Sequence, residues 1–323
     1  MILFDLKFSG EYNVKKRAEE KTMSRSHIPL IAAAGLVVLL SACVSEKAVQ
    51  IPGSGKTGSE EMITEKVVEE VQLISKELSY YPDGVLAEYR LYTYADEGTL
   101  KLSEELFNSD DELLERLVYK YEDENYRSAH TYEGLGELLK TYDGNGELLN
   151  YHVYGYDGRG FLTEDALYDR NDELQTRQEY EYDGKGRKTG WMVYNGENAL
   201  LSRTSYMYEN GRNTRIENYS PDKSLLDYFV LEYDSEDRLA ESTWYSGDER
   251  IEQIRRFIYE KGALTEEIIL RGNGSVKRKR LFTNDSYGNP VEVAVLDGGD
   301  TVLELLAYEY VNRTRVSYRE VKK

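Results

Sequence analysis

The residue with the most distinctive covalent chemistry is Cys43, the only cysteine among 323 residues. A single cysteine excludes a disulfide framework within the chain. Cys43 follows the apolar run 28–42 (IPLIAAAGLVVLLSA), which ends in the small residues Ser41 and Ala42. A membrane-spanning helix needs about 20 apolar residues, so this run better fits the apolar region of a secretory signal peptide. The pattern therefore points to cleavage and thiol modification at Cys43.

The segment Leu40-Ser41-Ala42-Cys43 resembles the bacterial lipobox. In that family the cysteine thiol receives a diacylglycerol, a signal peptidase cleaves, and the cysteine becomes the first residue. The resemblance implies a lipoprotein anchored through Cys43 in a membrane outside the cytoplasm, where each buried CH₂ contributes about 0.8 kcal/mol. An ordinary secretory signal, or an anchor helix with an incidental cysteine, is the alternative. Residues 1–22 fit a signal peptide poorly, and we expect translation to start at Met23.

The sequence gives little support for a catalytic or metal-binding site. His130 and His152 are the only histidines after the apolar run, and neither has a second ligand at zinc-binding spacing. The GSGKT at 53–57 lacks the first glycine of a phosphate-binding loop, because Gln50 stands there. Acidic turns such as 297–300 match no calcium-binding loop. We therefore predict that the protein is not an enzyme and has no catalytic residues, no cofactor and no metal site.

The net charge of the chain limits the kinds of partner that it can bind. A formal net charge of −19 disfavours nucleic acid and electrostatic docking to anionic lipid. The one basic run, 277–280 (KRKR), splits its charges between two faces if it forms a strand, which favours a solvated edge over a polyanion site. Tyrosine outnumbers phenylalanine by 29 to 7, which indicates aromatic rings at half-hydrated positions.

A tyrosine-rich unit recurs along the chain at a spacing of 25 or 26 residues. One series of anchors is Tyr154/Tyr156, Tyr180/Tyr182, Tyr206/Tyr208, Leu231/Tyr233, Phe257/Tyr259, Phe282 and Tyr308/Tyr310. A second series is Tyr142, Tyr168, Tyr194, Tyr219, Tyr245, Leu270 and Leu296. Turn signals such as Asp-Gly and Asn-Gly follow each anchor. Such a fixed period marks a repeat architecture.

The segments between turns alternate as β-strands do. In Leu174–Tyr182 one face carries Leu, Thr, Gln and two Tyr, and the other carries Gln, Arg and two Glu. The turn spacing predicts about 19 antiparallel strands. We expect an all-β fold, an elongated antiparallel meander of β-hairpin repeats in a twisted or coiled sheet, with the tyrosine face inside the curve. The segments 60–77 and 313–323 are expected to protect its two edges.

The repeat units resemble the YD-repeat, or RHS-like, superfamily, whose unit is Tyr-Asp, a short Gly turn and a hydrophobic residue. The best copies are 142–148 (YDGNGEL), 156–162 (YDGRGFL) and 182–186 (YDGKG). The resemblance covers roughly residues 80 to 310 and implies a β-hairpin repeat fold. It does not imply an activity, because the motif is short and tolerant.

The predicted organisation has three parts. Residues 1–42 form an N-terminal extension and lipoprotein signal peptide, 43–65 the lipidated cysteine and a flexible tether, and 66–323 the repeat domain. We predict a cell-envelope lipoprotein that presents an extended Tyr-rich surface for protein or glycan binding, or that has a structural role. The alternative is an envelope hydrolase or inhibitor with a site at 121–143, where the repeat is irregular and His130 lies.

The lipobox prediction can be tested by replacing Cys43 with serine. Cells grown with radiolabelled palmitate should label the wild-type protein, while Cys43→Ser should remain unlabelled and uncleaved because no other thiol can accept the lipid. Equal labelling of both proteins would exclude Cys43 as the attachment site.

Overall fold

The computed structural model describes residues 43–44, 62–95, 98–121 and 136–322, and these residues form antiparallel β-strands. The strands are β1 Cys43–Val44, β2 Met62–Tyr80, β3 Leu86–Tyr94, β4 Lys101–Asn108, β5 Leu113–Tyr121, β6 Gly136–Asp143, β7 Leu148–Tyr156, β8 Leu162–Asp169, β9 Leu174–Tyr182, β10 Lys188–Asn195, β11 Leu200–Glu209, β12 Arg212–Tyr219, β13 Leu225–Tyr233, β14 Leu239–Ser246, β15 Ile251–Glu260, β16 Ala263–Arg271, β17 Val276–Asn284, β18 Pro290–Asp297 and β19 Val302–Lys322. The described residues include no helix with the length and apolar character needed to cross a membrane.

Most hairpin turns are three-residue loops closed by an aspartate or asparagine. In the turn between β9 and β10, Asp183 accepts backbone N–H bonds from Lys185 at 2.8 Å and Arg187 at 2.9 Å. Gly186 has a φ of +76°, the left-handed conformation that this turn type requires. A Cβ on Gly186 would also lie 2.4 Å from Cζ of Phe161. The Asp-Gly-x-Gly motif therefore specifies the turn geometry.

The second tyrosine of each Tyr-x-Tyr pair holds a β-bulge. The pairing of β7 with β8 shifts register between Gly155 and Tyr156, at the first residues of β8. The hydroxyl of Tyr182 on β9 donates to the carbonyl of Leu162 at this bulge, at 2.8 Å. The same bond at a separation of 20 residues joins Tyr94 to Ile74, Tyr121 to Lys101, Tyr208 to Lys188, Tyr233 to Asn213, Tyr259 to Leu239 and Tyr310 to Pro290. The tyrosines that recur about every 26 residues thus have a structural role, because their hydroxyls hold the β-bulges in place.

The sheet closes on itself as an 18-stranded antiparallel barrel, β2 to β19. The first and last of these strands pair over 18 residue pairs, from Leu305 opposite Tyr80 to Lys322 opposite Met62. Arg315 on β19 forms an ion pair with Glu69 on β2 at 2.5 Å. The prediction of an elongated, open or coiled meander was therefore wrong. The acidic segment 60–77 and the basic tail 313–323, which we expected to shield two separate edges, instead contain the strands that join them.

The predicted number of strands, about 19, is one more than the 18 strands of the barrel. At the repeat irregularity, β5 pairs directly with β6, with Tyr119 opposite Leu139. The intervening residues 122–135 lie outside the described residues. Direct pairing keeps the number of barrel strands even, as closure between antiparallel neighbours requires.

The two faces of the sheet are distinguished by how strongly the protein surrounds their tyrosines. Burial is the main cause that raises the pKa of Tyr92 and Tyr119, which belong to the Tyr-x-Tyr face. On the opposite face, the raised pKa of Tyr89 and Tyr151 has a different main cause, a hydrogen bond to a single carboxylate. That opposite face also carries exposed apolar side chains such as Val153, Met207 and Ile258 (39%, 42% and 40% exposed). The Tyr-x-Tyr face is therefore the concave inner wall. Each described strand contacts only its sheet neighbours, so these inner side chains line the barrel interior.

The bulge-holding bond can be tested with Tyr182→Phe, which removes only the hydroxyl. The loss of one half-buried hydrogen bond costs about 1 kcal/mol, which lowers the melting temperature by about 2–4 °C in a protein of this size. The control is Tyr287→Phe, since the Tyr287 side chain is 56% exposed on a turn and should tolerate the change. Equal melting temperatures for Tyr182→Phe and wild type in calorimetry would contradict this role.

Candidate binding site on the inner wall of the barrel

Four polar side chains form a continuous hydrogen-bonded group on the inner wall, which we call the inner-wall cluster. His152, Asp165, Gln178 and Trp191 lie on β7, β8, β9 and β10, each 13 residues after the one before. His152 Nδ1 lies 2.7 Å from Asp165 Oδ1, and Gln178 Nε2 donates to Asp165 Oδ2 at 3.3 Å. Trp191 Nε1 donates to Gln178 Oε1 at 3.0 Å. The cluster therefore crosses four adjacent strands.

Sheet register positions the cluster. Trp191 lies opposite Tyr180, and Asp165 lies opposite Tyr154, so every second strand residue places a side chain on the inner wall. The Tyr180 hydroxyl donates to Gln178 Oε1 at 3.1 Å, and the His152 and Tyr154 rings stack at 6.0 Å. The cluster combines a histidine, a carboxylate, an amide and an indole, and the rings of Tyr154 and Tyr180 flank it.

The polar lining continues beyond the cluster. Trp191 lies opposite Thr204 on β11, whose hydroxyl donates to Asn218 at 2.7 Å. Asn218 in turn donates to Asp227 on β13 at 2.6 Å. Polar contacts therefore follow the inner wall from β7 to β13. A surface of this kind suits a hydrated ligand better than an apolar one.

The cluster has the chemistry of a carbohydrate-binding surface. Flat aromatic rings offer apolar area for a sugar face, and amide and carboxylate groups exchange hydrogen bonds with hydroxyls. The side chains of His152 and Asp165 are 25% and 13% exposed, so both remain reachable from the interior. The four cluster side chains can donate and accept hydrogen bonds, and the Trp191 ring adds an apolar surface, which is the combination that a binding site for a polar ligand uses.

Two carboxylates on the inner wall near the closure seam, Glu77 and Glu104, have different surroundings, which shift their pKa values in opposite directions. Glu77 on β2 accepts the Tyr92 hydroxyl at 2.9 Å. Burial raises the pKa of Glu77 above its ordinary value and outweighs the opposing hydrogen bond from Tyr92. The ionised form of Glu77 is therefore disfavoured in the folded barrel.

At Glu104 on β4, the interactions that lower the pKa outweigh the burial that raises it. Burial alone would raise its pKa, but Lys101 Nζ at 2.8 Å and the Tyr119 hydroxyl at 2.5 Å lower it, with help from Arg90. The ionised form of Glu104 is therefore stabilised. Glu77 and Glu104 are thus two carboxylates on the same wall whose pKa values are shifted in opposite directions.

Of the two site residues that the sequence singled out, the structure describes Cys43 but not His130. Cys43 lies in the short strand β1, whose backbone pairs with β2 at Glu69. His130, on which the hydrolase or inhibitor alternative depends, lies outside the described residues. An open depression of about 270 Å³, lined by Leu113, Arg116, Val118, Tyr142, Asp143 and Gly146, lies where β5 begins and β6 ends, at the end of these strands away from Tyr121 and Gly136. The described residues also lack any group of three or more His, Cys, Asp and Glu side chains suited to a metal ion.

Sequence reasoning missed all four cluster residues. It found no second metal ligand for His152 and did not consider Asp165, Gln178 or Trp191. Their common spacing of 13 residues, half of the 26-residue repeat, was the available signal. In a hairpin repeat this spacing places side chains on the same face of successive strands at similar heights.

Comparisons with known proteins give only structural likenesses. No family model and no curated protein matches the chain, so the resemblances to lipoproteins and to YD repeats stay predictions. A porin-like protein from Bacteroides uniformis matches with 13% identity and a TM-score of 0.37, over 77% of this chain and 98% of that one. A porin-like protein from Bacteroides vulgatus matches with 12% identity and a TM-score of 0.34, over 74% and 98%.

A third likeness is to the complex TcdB2-TccC3, with 12% identity and a TM-score of 0.29 over 85% of this chain and 16% of that one. All three TM-scores are below 0.5, and we draw no functional conclusion from them.

The environments of the two seam carboxylates predict opposite effects of neutralisation. A raised folded pKa gives Glu77 a stabilising effect that is complete below its unfolded pKa, about 4.3, and is lost as pH rises through the folded value. Glu77→Gln should therefore melt above wild type at pH 7, and the difference should vanish below about pH 4.

Glu104→Gln is the matched control and should melt below wild type at pH 7, because the lowered pKa of Glu104 stabilises the fold above its unfolded pKa. Calorimetry from pH 3 to 8 measures both. If the melting temperatures of both variants changed in the same direction at pH 7, the opposite pKa shifts assigned to Glu77 and Glu104 would be contradicted.

Proposed function

We propose that the protein is a non-enzymatic, lipid-anchored barrel of the bacterial cell envelope that binds glycan on its inner wall. The observation that carries this proposal is the inner-wall cluster, His152, Asp165, Gln178 and Trp191, with its flanking tyrosines. The sequence predicted an extended Tyr-rich surface on the inside of a curved sheet, and closure of the barrel makes that surface the wall of an interior.

The dimensions of the barrel support an interior ligand. A circle of 18 strands, spaced about 4.8 Å apart and tilted by about 40°, is about 35 Å across between opposite backbones. Even after side chains of about 6 Å on each side are subtracted, an oligosaccharide chain fits this width. The aromatic side chains Trp191, Tyr180 and Tyr154 are half-buried, so each leaves part of its surface for contact.

The outer wall supports a barrel that stands in water and is held by lipid at Cys43. Ion pairs lie on this wall, including Arg116 with Glu105 near mid-strand at 3.1 Å and Arg203 with Glu181 at 3.3 Å. Arginine facing the middle of a bilayer costs about 2–4 kcal/mol, and a transmembrane barrel presents an apolar band there. The lipid anchor proposed at Cys43 would supply the membrane attachment that this wall does not.

The site is tested by calorimetric titration of the full-length protein, purified in detergent, with neutral hexasaccharides: chitohexaose, cellohexaose and maltohexaose. At least one should bind, and Trp191→Ala should weaken that binding about tenfold, because loss of one aromatic platform costs about 1.4 kcal/mol. Tyr194→Ala is the control, since Tyr194 lies on the same strand but on the outer wall.

The two variants also locate the ligand. Binding that survives Trp191→Ala and is lost in Tyr194→Ala would place the ligand on the outer wall and refute the proposed site. If none of the three hexasaccharides bound wild type, the proposal of neutral glycan binding would fail.

The envelope location has its own test. Protease added to intact cells should degrade the protein if it is displayed on the surface, while degradation only after lysis would restrict it to an internal face of the envelope. Recovery of the protein in the cytoplasmic fraction, with the apolar run 28–42 still attached, would contradict the lipoprotein proposal.

A further inference from the structure

Exposed leucines lie at one rim of the barrel on the outer wall, on five of the nine strands that start there. Each is the second residue of a strand that starts at the rim formed by the turns after β2, β4, β6, β8, β10, β12, β14, β16 and β18. They are Leu114 (44% exposed), Leu149 (43%), Leu201 (46%), Leu226 (37%) and Leu303 (42%). The same position on the other four strands is held by Ala87, Gln175, Glu252 and Lys277. Isolated exposed leucines are ordinary on protein surfaces, but five at one height form a pattern.

Aromatic side chains at the same rim join these leucines, and we call the leucines and aromatics together the apolar collar. Each aromatic is the residue before the last of a strand that ends at the same rim, and these aromatics are Phe107, Tyr142, Tyr168, Tyr194 and Tyr245. They belong largely to the second anchor series of the sequence repeat. Tyr168 stacks on Tyr151 at 5.2 Å, and Phe107 stacks on Tyr89 at 5.0 Å. Stacked rings give the collar a rigid, flat apolar surface.

Hydrogen bonds tie the collar to the turns above it. The Tyr89 hydroxyl donates to Asp111 at 2.8 Å, and the Tyr151 hydroxyl donates to Asp172 at 2.8 Å. Lys279, at the equivalent position of β17, donates to Asp300 at 2.7 Å. The collar and these turns therefore form one ordered surface.

The turns that border the collar are strongly acidic. The nine connections 81–85, 109–112, 144–147, 170–173, 196–199, 220–224, 247–250, 272–275 and 298–301 contain 12 Asp or Glu residues and 3 Lys or Arg residues, a net charge of −9. At the other rim, the fully described turns 157–161, 183–187, 210–211, 234–238, 261–262 and 285–289 contain 6 acidic and 5 basic residues, a net charge of −1. The two other connections at that rim, 95–100 and 122–135, add 6 acidic residues and 1 basic residue, which brings its net charge to −6. Both rims are therefore acidic, and the collar rim is the more acidic of the two.

We propose that the apolar collar is a docking surface for a protein whose contact face is both apolar and basic. Leucine and aromatic side chains supply the area to bury, and the adjoining carboxylates attract and orient a basic partner. A second copy of this chain presented collar to collar would bring two rims of net charge −9 together, which disfavours self-association. An anionic bilayer is disfavoured by the same charge.

The test uses an amphipathic helical peptide of leucine and lysine as the probe, with the full-length protein in detergent. The peptide should bind, and its affinity should fall as NaCl rises from about 50 to 500 mM, because salt screens exposed charges. The variant Leu149→Ser/Leu201→Ser/Leu226→Ser should bind about tenfold more weakly, since three apolar contacts are lost together.

The control variant is Met207→Ser/Ile258→Ser/Leu281→Ser, which changes outer-wall side chains of similar exposure (42%, 40% and 41%) away from the collar. It should bind the peptide as wild type does. Equal weakening by both variants would show non-specific adsorption and overturn the proposal. A wild-type dimer in sedimentation that the collar variant converts to a monomer, or binding to phosphatidylcholine vesicles that the collar variant abolishes, would replace the proposed partner with a second copy or with lipid.

Discussion

The pairing of β2 with β19 is the contact on which the rest of the structure depends. Every other strand pairs with a neighbour in sequence, so local hairpins alone would form a ribbon with two free edges. The seam joins residues more than 200 positions apart, and its strands extend well past the other strands. Closure removes both edges and turns the two faces of one sheet into an interior and an exterior. Without it there is no inner wall on which the cluster could face a confined ligand.

Bulges give the barrel its local geometry, and the tyrosine hydroxyls hold the bulges. An extra residue at the start of a strand frees a carbonyl from the ladder, which would otherwise be an unsatisfied acceptor. The hydroxyl of a tyrosine 20 residues later satisfies it, as Tyr182 does for Leu162. At the equivalent place in β17, Asn284 donates its amide to Leu264 at 2.8 Å. The requirement is therefore for a donor of the right reach, which explains why tyrosine recurs there.

The sequence predicted the local structure and failed at closure. Period-2 alternation and Asp-Gly turns located most strands, including Leu174–Tyr182, because both signals depend on adjacent residues. Closure depends on a pairing between the two ends of the domain, and neither 60–77 nor 313–323 carries the tyrosine repeat. The inner-wall cluster was missed for a similar reason. Its residues become neighbours only through cross-strand register, and each taken alone looks like an ordinary polar strand residue.

An even number of strands has a consequence for how such a chain can change in length. Because the first and last strands must run antiparallel at the seam, a single strand cannot be gained or lost, but a whole hairpin of about 26 residues can. One duplicated or deleted hairpin changes the barrel diameter by about 4 Å. Tandem duplication would thus tune the bore in discrete steps, with each step adding one more copy of the bulge-holding tyrosine.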